Sequence, residues 1–312
     1  MPDFSDNHRL TAALLTVLLS SASCATTKTG AQTMTVTLTH DAIERSYLLA
    51  APEGIAGRAP LVLVLHGGNG NAAKTQRAFG LNALAAREGF VVAYPEAINH
   101  LWNDGRDDAE FQDITIDDVG YLLAVVEDAA SKLAIDRSRV YVLGFSNGGM
   151  MTQRLACEQT ATFAGFATLI AQMPEPLAAR CKPSAPAPMM FINGTADPIM
   201  PFDGGTVLKK RGRVTSTRAS TAFWREHNGC LNQTTRATHD RDPDDALLTH
   251  VDTYDQACAQ APVVLVTVEG GGHTWPGGPQ YRLQRRIGPA SNDLDSRELV
   301  WSFFAPLRRA VE

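Results

Sequence analysis

The chain has 312 residues, 44% hydrophobic and 20% charged, which suits one large or two small soluble domains. A net charge of −5 with no long basic block argues against a nucleic-acid partner. The longest basic clusters, Lys209-Lys210-Arg211 and Arg285-Arg286, are short and read as solvated surface.

From Leu10 to Leu19 the chain runs LTAALLTVLL, then SSASCA. A short apolar core followed by small residues is the pattern of a secretory signal, and a bilayer span would need about 20 apolar residues. Ser21-Ala22-Ser23-Cys24 also resembles a bacterial lipoprotein box, departing from it at Ser21, where leucine is usual. Cys24 would then carry the lipid and be the sole route to a membrane. The expected location is secreted or periplasmic, with lipid anchoring through Cys24 as a variant of it. Four further cysteines, Cys157, Cys181, Cys230 and Cys258, suit an oxidising compartment and allow three pairings. The two sequence-local loops, Cys157–Cys181 and Cys230–Cys258, are the expected ones. No spacing is CxxC, so no metal site is expected there.

Past a polar tether at 26–33, residues 34–40 and 45–52 read as paired strands. LVLVLH (61–66) and FVVAYP (90–95) are continuous apolar runs, as in strands buried on both faces. Between them, 72–88 carries helical spacing and stops at Gly89. A helix is expected over 116–133, a strand over 139–144 and a helix over 147–159. Strands follow near 163–170, 188–194, 247–254 and 262–270, with helices near 217–228 and 293–309. Alternating buried strands and helices imply an α/β fold with a mostly parallel central sheet flanked by helices. The acid-rich stretch 239–255 lacks the glycine and spacing of a calcium loop and reads as a solvated hairpin.

Chemistry concentrates at Gly144-Phe145-Ser146-Asn147-Gly148, a G-x-S-x-G segment between a buried strand and a helix. That context is the one a nucleophile elbow requires: the serine rides a sharp turn and its flanking residues must be small. A serine hydroxyl needs a base to take its proton. In elbow-bearing chains the order is serine, acid, histidine, each in a loop after a strand. Asp197 follows the strand MMFING, and His273 follows VVLVTVEG. Asp197 would orient the imidazole, and His273 would serve as base and then acid. Asp203 is the second candidate acid. His66, His100, His227, His239 and His250 compete with His273, which alone follows the last expected strand. The oxyanion donors would be the N–H of Asn147 and one from the loop after LVLVLH, with Gly68 preferred and Gly67 or Asn69 open. Trp102, in the loop Trp-Asn-Asp-Gly-Arg, would line the substrate pocket or belong to a structural turn. Asp117 and Asp118 read as acids complementing a helix dipole.

Together GFSNGGMM, NGTADPIMPFDGG, EGGGHTWPGG, WNDGR and DDVGYL resemble the secreted polyhydroxybutyrate depolymerase and feruloyl esterase family of α/β-hydrolases. The match runs from about Leu61 to Phe304. The resemblance implies a Ser146–Asp197–His273 triad, carboxylic ester hydrolysis with no cofactor, the same two disulfides, and Trp275 near the substrate cleft. The expected organisation is a signal over 1–25, the tether over 26–33 and one α/β-hydrolase domain over 34–312. Few residues follow the last expected helix. Hydroxyalkanoate oligomers, or aromatic acyl esters on polysaccharide, are therefore expected at least as much as solid polyester. A peptidase of the same fold and a non-catalytic binding protein on that scaffold are the alternatives; a complete triad weighs against the latter.

Overall fold

The computed structural model describes residues 31–309, apart from 56, 107–112, 114 and 259. The expected signal, Cys24 and most of the expected tether lie outside the described residues. The strands, in chain order, are β1 (Ala31–His40), β2 (Ile43–Pro52), β3 (Ala59–Leu65), β4 (Val91–Pro95), β5 (Ile135–Phe145), β6 (Gly165–Leu169) and β7 (Met189–Gly194). They continue with the short β8 (Gly205–Thr206) and β9 (Arg213–Val214), then β10 (Thr235–His239), β11 (Leu248–Tyr254) and β12 (Val263–Glu269). The helices are α1 (Ala72–Phe79), α2 (Leu81–Glu88), α3 (Asp118–Lys132), α4 (Asn147–Glu158), α5 (Glu175–Arg180), α6 (Thr217–His227), α7 (Gln284–Ile287) and α8 (Ser296–Phe304).

Among the described residues one ten-stranded sheet runs in the order β1-β2-β4-β3-β5-β6-β7-β12-β11-β10. Its centre, from β4 to β12, is parallel, and an antiparallel hairpin closes each end. Parallel strands need crossovers, and the crossover helices cover both faces. That is why the central strands are apolar at successive positions rather than alternating. Leu61, Leu63, Val140, Val142, Phe166 and Phe191 face one core with α3, α4 and α6, where Leu122, Leu155 and Trp224 pack. Val62, Val64, Tyr141, Leu143, Met190 and Ile192 face the other, with Phe79, Leu84 and Phe304 from α1, α2 and α8.

Three expectations are corrected here. β1 begins at Ala31, so residues 31–33 are strand rather than tether; their partners are Pro52, Ala51 and Ala50 of β2. The helix expected over 72–88 is two helices. Gly80 adopts φ 66°, caps α1 through its N–H to the Gln76 carbonyl and turns the chain into α2. β5 starts at Ile135, four residues before the expected strand. Within the acid-rich stretch, 240–246 form the exposed turn of a hairpin between β10 and β11, while β11 itself buries Thr249 and Asp252.

Both expected disulfides are formed: Cys157–Cys181, across α4 and the end of α5, and Cys230–Cys258, after α6. Loops of 24 and 28 residues give each about 3 kcal/mol of stabilisation in the chain-entropy account. No helix among the described residues is long and apolar enough to cross a membrane.

Candidate active site

Ser146 joins β5 to α4 with φ 51° and ψ −117°. This backbone lies outside the regions comfortable for an L-residue, and the surroundings must hold it there. The Ser146 N–H donates to the Leu169 carbonyl at the end of β6, 2.9 Å away. Gly148 lets α4 close onto β3: a Cβ there would sit 2.5 Å from the His66 carbonyl oxygen and 2.6 Å from that of Leu65. A Cβ on Gly144 would collide with the Gly148 carbonyl and the Thr152 hydroxyl. The serine is thus lifted above the C-terminal ends of the parallel strands, at the N-terminus of α4, where free N–H groups and the helix dipole favour negative charge.

β7 and β12 are adjacent and parallel, Gly194 opposite Val268, so the loops that leave them run side by side. The Thr195 and Ala196 N–H groups donate to the Val268 and Gly271 carbonyls. This brings Asp197 Oδ2 to 2.6 Å from His273 Nδ1, with both side chains buried. The other carboxylate oxygen accepts the N–H groups of Ile199 and Met200 at 2.8 and 2.9 Å. Asp203 is exposed and is not the partner of His273. Ser146 and His273 line one cavity of about 980 Å³, together with Gly68, Asn147, Phe145 and Trp275. Among the described residues the Ser146 hydroxyl makes no hydrogen bond. Such contacts are commonly long in a substrate-free site and tighten on binding.

The candidate oxyanion N–H groups differ in whether the backbone already occupies them. The Asn69 N–H is taken by the His100 carbonyl at 3.0 Å and that of Gly70 by the Gly67 carbonyl at 2.9 Å. The N–H groups of Gly68 and Asn147 have no acceptor among the described residues, and the space for a Gly68 Cβ lies 3.6 Å from Asn147 Cβ.

A family model described as "Esterase PHB depolymerase" matches residues 45–172. The protein named "Putative esterase NocK" of Nocardia uniformis subsp. tsuyamanensis is 36% identical over 268 residues, 81% of this chain and 75% of its own. The chain belongs to the polyhydroxybutyrate depolymerase and feruloyl esterase family. It is a carboxylic ester hydrolase. The esterase is 25% identical over 240 residues to "Feruloyl esterase B" of Piromyces equi, 73% of this chain and 42% of that one, so it spans under half of that relative's length. Its fold is that of the solved "Acetyl xylan esterase from Aspergillus awamori": TM-score 0.57, 14% identity, 87% of this chain and 99% of that chain.

Of the two tryptophans expected at the substrate, only Trp275 faces the esterase's cavity, packed on Phe145 and Tyr281. Trp102 is a correction: it is fully buried and does not line the cavity. Its indole N–H donates to the His66 carbonyl at 2.9 Å, and its backbone N–H donates to Asn147 Oδ1 at 2.9 Å. Trp102 therefore holds together the two loops that carry Gly68 and Asn147. His66, also buried, accepts the Ala97 N–H at Nε2, so its Nδ1 carries the proton and donates to the Gly67 carbonyl.

Sequence reasoning missed the supports of this loop. Asp104 accepts from Asn147 Nδ2 at 2.5 Å and pairs with Arg106, both ions buried. Asp118 does more than meet a helix dipole. It pairs with Arg45 at 2.7 Å and accepts the Asn103 N–H at 2.7 Å, while Asp117 caps α3. Tyr281 was missed too: its hydroxyl donates to the His273 carbonyl at 2.7 Å. The acidic pairs carry a faint signal, since carboxylates beside glycine turns invite partners; Tyr281 carries none.

Proposed function

We propose that this esterase works through Ser146 as nucleophile, His273 as general base and acid, and Asp197 as the group that orients the imidazole. One observation carries the reading. A serine held at φ 51° and ψ −117° opens onto the same cavity as an imidazole bonded at 2.6 Å to a buried carboxylate. In the first half-reaction His273 Nε2 takes the hydroxyl proton as Oγ bonds to the ester carbon. The carbonyl electrons move onto oxygen, where the N–H groups of Gly68 and Asn147 meet them. The C–O bond to the alcohol then breaks, and Nε2 returns the proton to the departing oxygen. In the second half, water repeats the sequence on the acyl-enzyme. Acid, alcohol and free serine result, one water consumed per ester.

Hydroxyalkanoate oligomers and aromatic acyl esters of polysaccharide are the substrates this reading favours; the names of the relatives and the apolar wall of Phe145, Trp275 and Met150 support it. Two disulfides support an oxidising, extracytoplasmic setting. The test is hydrolysis of 4-nitrophenyl butyrate with stoichiometric labelling by a fluorophosphonate. Ser146→Ala should lower turnover by about four to six orders of magnitude and abolish labelling, with the circular dichroism unchanged. A variant that keeps near-normal turnover removes Ser146 from the mechanism. Hydroxybutyrate oligomers, methyl ferulate and acetylated xylan, compared on the purified protein, then rank the acyl groups.

A further inference from the structure

The chain is acidic overall, yet its cavity is basic. Lys74, Lys209, Arg211, Arg282, Arg285 and Arg286 all line it, and among the described residues no aspartate or glutamate does. These cations come from three separate places: α1, the turn between β8 and β9, and the segment around α7. The two basic clusters that the sequence leaves on the surface thus converge on one opening.

Elsewhere on the molecule arginines find carboxylates: Arg87 with Glu298, Arg137 with Glu127, Arg213 with Glu175, Arg236 with Asp252. Lys74, Lys209, Arg282, Arg285 and Arg286 have no such partner among the described residues. Arg106, also at the cavity, is neutralised by Asp104 and adds no free charge. Burial holds the Arg211 pKa below its ordinary value, with a smaller push from Arg106. The turn itself is strained: Lys209 and Lys210 sit at φ 64° and 58°, a backbone that lysine rarely adopts and that surroundings must impose. Apolar surface accompanies the charge. Leu208 and Tyr281 are 47% and 43% exposed at the same opening, above Trp275 and Phe145.

An apolar throat beneath a cationic mouth matches an ester with an apolar body and an anionic end. An uncharged polymer surface would gain nothing from it. We propose that the substrate is an ester bearing a carboxylate, its apolar part held between Phe145, Trp275 and Tyr281 and its carboxylate met by Lys209, Arg285 and Arg286. The inference rests on the serine-esterase reading and narrows its substrate class. The carboxylate can belong to the alcohol half, as at the acid end of a hydroxy-acid oligomer or on a uronate, or to the acyl half, as in a half-ester of a diacid.

Matched ester pairs test it and separate the two halves. For the acyl half, mono-4-nitrophenyl adipate is compared with 4-nitrophenyl hexanoate. For the alcohol half, 3-(4-acetoxyphenyl)propanoate is compared with its methyl ester, and every rate is normalised to hydrolysis by hydroxide. At about 0.02 M salt, kcat/KM for the charged member of at least one pair should exceed that of the neutral member about tenfold. The preference should shrink toward parity at about 0.5 M sodium chloride. In the triple variant Lys209→Gln, Arg285→Gln, Arg286→Gln the charged-to-neutral ratio should fall about fivefold or more. Arg58→Gln removes an exposed charge outside the cavity and should leave the ratio where it was. Neutral esters cleaved with no charge preference in either pair, or with a preference that salt and the triple variant leave intact, would overturn the proposal alone. Failure to cleave any of the four esters would overturn the serine-esterase reading as well.

Discussion

Just beneath the cavity floor the oxygens of Asp197, Asp104 and Asn147 are each answered by a donor within 3.2 Å. At its mouth, Lys209, Arg285 and Arg286 pair with no carboxylate among the described residues. The two regions solve opposite problems. Groups beneath the reacting atoms must already stand in place before substrate arrives, because reorganisation at that moment would raise the barrier. Groups that attract substrate gain by staying unpaired, and exposure makes that state inexpensive, since water solvates them. The difference teaches which substitutions should damage chemistry, which should damage the fold, and which should change only what is captured.

The largest loss after that of Ser146 itself is expected at the floor. Asp197→Asn should lower kcat by about three to four orders of magnitude, because an amide can present N–H to Nδ1 and fix the wrong tautomer. A loss below tenfold would mean that Asp197 does not orient His273. Beneath the floor, Asp118→Ala strands the Arg45 charge and releases the Asn103 N–H. Chemical denaturation should record about 3–5 kcal/mol of lost stability. Less than about 1 kcal/mol would show that the loop does not depend on this pair.

A smaller effect belongs to His66. Burial holds its pKa below the ordinary 6.5, against a weaker upward pull from the Gly67 carbonyl and Glu96; His100 adds to the downward shift. Below about pH 6.5 the unfolded chain takes a proton there that the folded chain refuses, so stability falls as pH falls, by at most about 1.4 kcal/mol per unit. Denaturation curves of the protein and of His66→Gln, taken across that range, should differ in slope; parallel curves would mean that His66 is not the group responsible. Smallest of all, Arg285→Gln with Arg286→Gln should leave stability within about 0.5 kcal/mol, since both side chains are exposed and have no ion-pair partner among the described residues. A larger loss would give these arginines a structural role and blur the contrast between floor and mouth.

What could be read before the structure follows from the range of the interactions. The elbow is legible because its steric demands fall on residues adjacent in sequence, Gly144 and Gly148. Asp197 and His273 are legible because each follows an apolar run that could only be a buried strand. The break at Gly80 is hidden, since helix-compatible residues lie on both sides of a single glycine; only its positive φ turns the chain, so that Phe79 before it and Leu81, Leu84 and Ala85 after it, out of phase on one straight helix, are all buried. The sequence leaves Trp102 open between a pocket aromatic and a structural turn because its partners, the His66 carbonyl and the Asn147 amide, lie 36 and 45 residues away. The basic clusters read as surface for the same reason. Lys209 and Arg285 are neighbours of one cavity only after the strand order places β7 beside β12.

That strand order also sorts the triad's distances by stiffness. Asp197 and His273 ride the ends of touching strands, and four backbone and side-chain bonds stitch their loops together, whereas Ser146 stands on β5 with β6 intervening. A shear of β7 and β12 past β5 would carry the acid and the imidazole as one piece and change only their approach to the hydroxyl. On the proposed mechanism, the gap between serine and histidine is the coordinate left free to change, the distance that a seated acyl group would draw shut.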